Sequence, residues 1–198
     1  MGWDDSLEQA PAPVRHALES GSNLTERVCT CNEEWQGRIF SVQTLDVELP
    51  DGSHGYREVV RHHGGAAVVA VRDGRVCLVR QYRVAQGRMT LEIPAGKLEP
   101  GEAGASCAAR ELMEETGLVA ARLEPLLTTL GSPGFTDEHT EVFLATGLSQ
   151  GPAAPDEGEF VDAVWLLLAD VRAAIRCGCI QDAKTVAGVL ALPHGDLR

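Results

Sequence analysis

Glu111, Glu114 and Glu115 place three carboxylates within five residues, and Arg110 stands directly before them. The surrounding residues, rich in Ala, Leu, Met, Arg and Glu, are strong helix formers, so the cluster sits on a helix. Four residues separate Glu111 from Glu115, which puts both on one helical face. Like charges at that spacing repel by a few tenths of a kcal/mol per pair. Something must offset this. One reading is a solvated acidic face with Arg110 as counter-charge. The other is a site for a hard divalent cation, which takes oxygen ligands from a few carboxylates and completes its shell with water and phosphate oxygens.

The elements around this helix follow from local signals. Gly96, Pro100 and Gly101 forbid regular structure, so the helix starts only near Glu102 or Ala103, and Gly117 supplies its stop. Leu91 to Ala95 reads as a strand that delivers the chain to Gly96. Upstream, Ala66 to Val71 and Arg75 to Arg80 flank Asp73-Gly74, a strong hairpin signal. Thr25 to Cys31, Arg38 to Glu48 and Tyr56 to Val60 predict a small antiparallel sheet, with Trp35 just ahead of the second strand. Residues 1 to 24 read as a loosely attached arm with a short helix near Val14 to Glu19. After Leu118, strands are expected at Arg122 to Thr129, Glu141 to Ala145 and Val161 to Leu168. Helices are expected at Ala169 to Arg176 and Gln181 to Leu192, the latter with Val186, Val189 and Leu190 on one stripe. The predicted organisation is therefore an arm (1–24), an N-terminal sheet (25–61) and an α/β main domain with a mixed sheet (62–198).

Composition narrows the function. A chain of 198 residues with 44% hydrophobic content holds one domain with a modest addition. Its net charge of −12 argues against binding nucleic acid or an anionic membrane, which needs a basic patch. No apolar run approaches a membrane span and the N-terminus lacks a signal-peptide core, so a cytoplasmic protein is expected. Cys29 with Cys31 and Cys177 with Cys179 form C-x-C pairs rather than the C-x2-C of structural zinc. Cys77 and Cys107 sit in apolar patterns as small hydrophobes. His62 and His63 lack a third ligand at sensible spacing and read as a joint.

Gly96, Glu102, Arg110, Glu111, Leu112, Glu114, Glu115, Gly117 and Leu118 match without a gap the pattern G-x5-E-x7-R-E-U-x-E-E-x-G-U, where U is aliphatic. This resembles the signature of the Nudix hydrolases. The resemblance implies an α/β/α sandwich and Mg²⁺, or Mn²⁺, held against a diphosphate. By position it makes Glu111, Glu115 and the carbonyl of Ala95 metal ligands, with Glu114 a ligand or close neighbour. Arg110 orients the carboxylates, and Gly96, Glu102 and Gly117 shape the loop and helix.

Three further features resemble the ADP-ribose pyrophosphatase branch. Gln81-Tyr82-Arg83 precedes Glu92-Ile93-Pro94-Ala95-Gly96, and Pro133 lies in Ser132-Pro133-Gly134-Phe135-Thr136-Asp137-Glu138. The N-terminal sheet stands where such enzymes build a homodimer. The resemblance implies water attack on the diphosphate of a nucleoside diphosphate sugar, ADP-ribose giving AMP and ribose 5-phosphate. The base would come from the loop holding Asp156, Glu157 and Glu159, with Glu157 favoured and Glu159 its partner. Arg83 is a candidate phosphate clamp, Arg57 and Glu58 match positions at the adenine end, and Phe135, Asp137 and Glu138 are expected near the terminal ribose. Few aromatics are available to stack an adenine, which leaves other nucleoside diphosphate sugars open. A Nudix-fold module that senses a nucleotide without turnover is the alternative of a different class.

Overall fold

The structure, a computed structural model, describes residues 3–151 and 160–192. Helices α1 (Trp3–Gln9) and α2 (Ala12–Glu19) lead into a three-stranded antiparallel sheet of β1 (Arg27–Gln36), β2 (Phe40–Glu48) and β3 (His54–His62), in that order. The main sheet follows. It runs β10 (Asp162–Leu167), β5 (Arg75–Arg83), β4 (Gly65–Arg72), β9 (His139–Gln150) and β8 (Leu118–Leu130), with β6 (Arg88–Glu92) paired to β5 and β7 (Ala95–Lys97) to β4. Only β4 and β9 pair in parallel; the other pairings are antiparallel. Helix α3 (Gly104–Thr116) covers one face, and α4 (Leu168–Arg176) with α5 (Ala183–Ala191) the other.

Strand β4 explains the layering. Its Ala66, Val68 and Ala70 pack with Cys107, Ala108 and Leu112 of α3, while Ala67, Val69 and Val71 pack with Val171 and Val189 under α4 and α5. A strand buried on both faces has to be apolar without alternation, and this one is. Helix α5 comes so close that a Cβ on Gly188 would stand 2.8 Å from Val69. Burial pushes the Cys77 and Cys107 thiols up to about 12, consistent with unreactive packing groups.

The predicted α/β architecture is found, and the differences lie at its edges. Asp73 and Gly74 both take positive φ, 51° and 69°, as a two-residue hairpin turn requires. Trp35 stands ahead of β2 as expected, but inside β1, which runs on past Cys31 to Gln36; its ring covers Gly37 and packs 5.1 Å from that of Phe40. The stripe expected on the last helix holds at Val189, which is buried with Thr185 and Gly188, and fails at Leu190, which is half exposed. Among the described residues no helix is long and apolar enough to cross a membrane.

The joint between the two sheets is hydrogen-bonded to the loop after β8. Val60 donates its N–H to the carbonyl of Phe135 at 2.8 Å, and the His62 N–H reaches Asp137 Oδ1 at 2.9 Å. Arg61 adds a bond to Asp137 Oδ2. Burial alone would raise the Asp137 pKa, but the His62 N–H and Arg61 hold it below the usual range. Leu112, fully buried on the inner face of α3, is expected to cost about 2–5 kcal/mol when cut to Ala. Deleting residues 1–20, whose α2 buries no side chain, is expected to change stability by less than about 0.5 kcal/mol. Urea unfolding of both variants checks the pair.

Candidate active site

Helix α3 starts after a tight loop. Glu102 receives the Glu99 N–H on Oε2 and returns its own N–H to the Glu99 carbonyl, closing the turn at Gly101, φ 78°. It ends at Gly117, whose φ of 69° is the left-handed conformation that glycine adopts at least cost. The box acids thus fall in the C-terminal half of α3, where the helix dipole is negative and carboxylates are disfavoured.

Arg110 answers part of this. Its Nε and Nη2 grip Glu102 at 3.1 and 3.0 Å, while Nη1 reaches Glu111 at 2.7 Å and Glu114 at 3.0 Å. Nη2 also donates to the Lys97 carbonyl at 3.2 Å. Glu102, followed by Glu111 and Glu114, drives the guanidinium further above its ordinary range. Conversely Arg110, then the Glu99 N–H, pulls Glu102 from the ordinary 4.5 to about 2. Glu115 Oε2 accepts the Ala95 N–H at 3.0 Å, tying α3 to β7. Glu111 and Glu115 are only 9% and 8% exposed, so the bland reading of a solvated acidic face does not hold for them.

Gly96 has a steric reason. A Cβ there would stand 1.8 Å from Glu111 Oε1, in the space where the carboxylate lies. Glu141 on β9 is aligned with Ala66 and Gly96 across the sheet, and its carboxylate comes within 2.5 Å of where a Gly104 Cβ would be. Sequence reasoning missed Glu141, because only strand register brings it to α3. The carboxylates beside Gly96, Glu111 and Glu115 among them, are mostly withdrawn from water. That set fits a hard divalent cation.

Two adjoining clefts of about 340 and 320 Å³ meet over Gly96 and Lys97. Both are also bounded by His62 and by Ile39 at the tip of the β1–β2 hairpin, so the small sheet roofs the site. The second cleft reaches Arg83, Glu138 and Lys184. Arg83 forms a fork on Glu92, 2.8 Å from Nε and 2.7 Å from Nη2, and Lys184 reaches the same carboxylate at 2.6 Å. Burial would raise Glu92, yet Arg83 and Lys184 overcome it and hold it at about 2. Glu92 and Lys184 also escaped sequence reasoning as site groups, although Glu92 opens the Glu-Ile-Pro-Ala-Gly run. That buried glutamate sets two cations along the cleft wall.

The remaining expected residues divide. Glu138 lines the cleft. Asp137 is engaged by His62 and Arg61 at the joint, and Phe135 is exposed outside both clefts. Arg57 pairs with Glu26, and neither it nor Glu58 borders the clefts of its own chain. Asp156, Glu157 and Glu159 lie outside the described residues.

Residues 61–187 match the NUDIX domain family. The chain belongs to the Nudix family. It is 39% identical over 170 residues to the ADP-ribose pyrophosphatase of Bacillus subtilis (strain 168), covering 84% of this chain and 92% of that protein. It is 40% identical over 160 residues to that of Mycobacterium tuberculosis (strain ATCC 25618 / H37Rv), covering 79% and 77%. The methanol dehydrogenase activator of Bacillus methanolicus is 41% identical over 172 residues, covering 85% and 93%. The crystal structure of an ADP compounds hydrolase superposes with a TM-score of 0.77 over 87% of this chain and 94% of the other; at 23% identity it speaks for the fold. The Nudix box of this chain is therefore the loop, helix and Gly96 cradle just described.

Two outcomes follow from this geometry. Gly96→Ala is expected to cut turnover by about a hundredfold or more, by displacing the Glu111 carboxylate, with the melting temperature little changed; steady-state kinetics beside a thermal melt checks it. Because the folded pKa of Glu102 is depressed, its contribution to stability is full above the unfolded value and is lost as pH falls from about 4.5 toward 2. The stability gap between the native chain and Glu102→Gln should therefore close over that window in urea titrations.

Proposed function

We propose that this Nudix pyrophosphohydrolase splits the diphosphate of ADP-ribose into AMP and ribose 5-phosphate, using Mg²⁺ and accepting Mn²⁺. The observation that carries the reading is the box itself, intact beneath a cleft whose lining also includes Arg83 and Lys184. The named activity of the B. subtilis and M. tuberculosis relatives supports the choice of substrate.

In this reading Glu111, Glu115 and the Ala95 carbonyl would hold the ion, with Glu114 beside them. When bound, the ion neutralises diphosphate charge and lowers the pKa of the attacking water. Arg110 keeps Glu111 and Glu114 in place through Nη1, and the Ala95 N–H does the same for Glu115. Arg83 is oriented by Glu92 to meet a phosphate oxygen, and Glu138 to accept from a ribose hydroxyl. A carboxylate, Glu157 with Glu159 as partner, takes the proton from water as its oxygen attacks phosphorus. The bond from that phosphorus to the bridging oxygen breaks, and the bridge leaves on the other phosphate.

The reading includes a cytoplasmic location and a homodimer built through the small sheet. β1 is exposed along its whole length, with Val28 and Trp35 each about half exposed. Arg57 and Glu58 would then reach an adenine only from the second copy.

The panel that tests the proposal is ADP-ribose, UDP-glucose and GDP-mannose with Mg²⁺. AMP release from ADP-ribose is expected to be fastest by at least about tenfold; equal rates would leave a general nucleoside diphosphate sugar hydrolase. Glu115→Gln is expected to remove at least about 99% of turnover with the circular dichroism unchanged. Undiminished turnover would refute the metal role. A sensing module without turnover is disfavoured because all the box carboxylates are retained.

A further inference from the structure

The small sheet carries a donor set that the diphosphate chemistry does not use. Cys29 on β1, Asp46 on β2 and His54 on β3 bring Sγ, a carboxylate oxygen and a ring nitrogen within 4.8 Å of one another. Each strand supplies one ligand. The register explains how Cys29 gets there: Val28 pairs with Val47 and Thr30 with Asp46, so Cys29 is the extra residue of a bulge opposite Asp46. Bulges re-aim side chains, and this one crowds Cys29 and Thr30 against a single partner. His54 Nδ1 already lies 3.1 and 3.0 Å from the two Asp46 oxygens. None of the three borders the active-site clefts.

We propose that Cys29, Asp46 and His54 form a second cation site, for a divalent transition-metal ion of the Zn²⁺ type, clamping the three strands of the small sheet together. The chemistry separates it from the box. A thiolate and an imidazole select a borderline-soft ion, whereas carboxylates such as those of the box select a hard one. Ligand atoms around a tetrahedral zinc stand roughly 3.5 Å apart, given Zn–N and Zn–S bonds of about 2.0 and 2.3 Å. Exposed side chains such as His54 and Cys29 close the remaining gap by rotation. Three protein ligands leave the fourth position to water. Arg27, the nearest cation along β1, is held by Glu48 and so does not compete for Asp46.

Cobalt is the probe, because a thiolate bound to Co²⁺ gives a near-ultraviolet charge-transfer band. The full chain with Cys177→Ser and Cys179→Ser, which removes the exposed thiol pair of the α4–α5 loop, is titrated with Co²⁺ in excess Mg²⁺. A band saturating at a single equivalent and displaced by Zn²⁺ is expected. Cys29→Ser should abolish it and Cys31→Ser should keep it. His54→Ala and Asp46→Ala should each weaken cobalt binding by at least about tenfold. Absence of the band in the parent, or its survival in Cys29→Ser, overturns the proposal. ADP-ribose hydrolysis by Cys29→Ser is measured alongside and should be unchanged, so failure here stands apart from failure of the catalytic reading.

Discussion

One guanidinium sets the geometry of the active site. Arg110 bonds to Glu102 before the helix, to Glu111 and Glu114 on it, and to the Lys97 carbonyl on the strand side. Without it, acids in the last turns of α3 would face one another and the negative helix end at once. With it, Glu102, Glu111 and Glu114 share one guanidinium, and Glu115 accepts the Ala95 N–H.

The sheet contributes by proximity rather than by charge. Gly96 lets Glu111 lie directly on the strand, and Glu115 is anchored to Ala95 next to it, so the helix cannot slide without breaking both contacts. Cys107 adds a weak donor to the Lys97 carbonyl at 3.4 Å. On the other side of the cleft, Glu92 uses the same logic with opposite signs. A buried carboxylate fixes Arg83 and Lys184, while Thr185 accepts the Ile93 N–H and donates to Asp182, securing the start of α5. Carboxylates therefore crowd the helix wall, while Arg83 and Lys184 stand on the other wall, each held by a carboxylate.

Much of this was legible in the chain. Glu111 and Glu115 are four apart on one helix, so local periodicity was enough to bring them together, and Gly101 and Gly117 bracketed the helix. The Asp73-Gly74 hairpin could be read for the same reason: its cause is local. Glu141, Glu92 and Lys184 were not legible as site groups, because they meet the box or the cleft through β4–β9 register and through packing of α5, both long-range facts. Asp137 could be read only in part. Its place in a recognisable loop suggested a substrate contact, whereas its carboxylate is engaged by the His62 N–H and Arg61.

That engagement bears on how the two parts of the molecule work together. The hairpin tip at Ile39 can roof the clefts only if β3 leaves the main domain at a fixed angle. The bonds between Val60 and Phe135 and between His62 and Asp137 supply that angle from the loop that also carries Glu138. A residue that lines the cleft and a residue that holds its roof are thus neighbours in one short loop. Distortion of the Ser132 to Glu138 segment would disturb the cleft wall at Glu138 and the roof together, which gives a physical reason for so shaped a sequence there: the loop sets the size of the space as well as part of its lining.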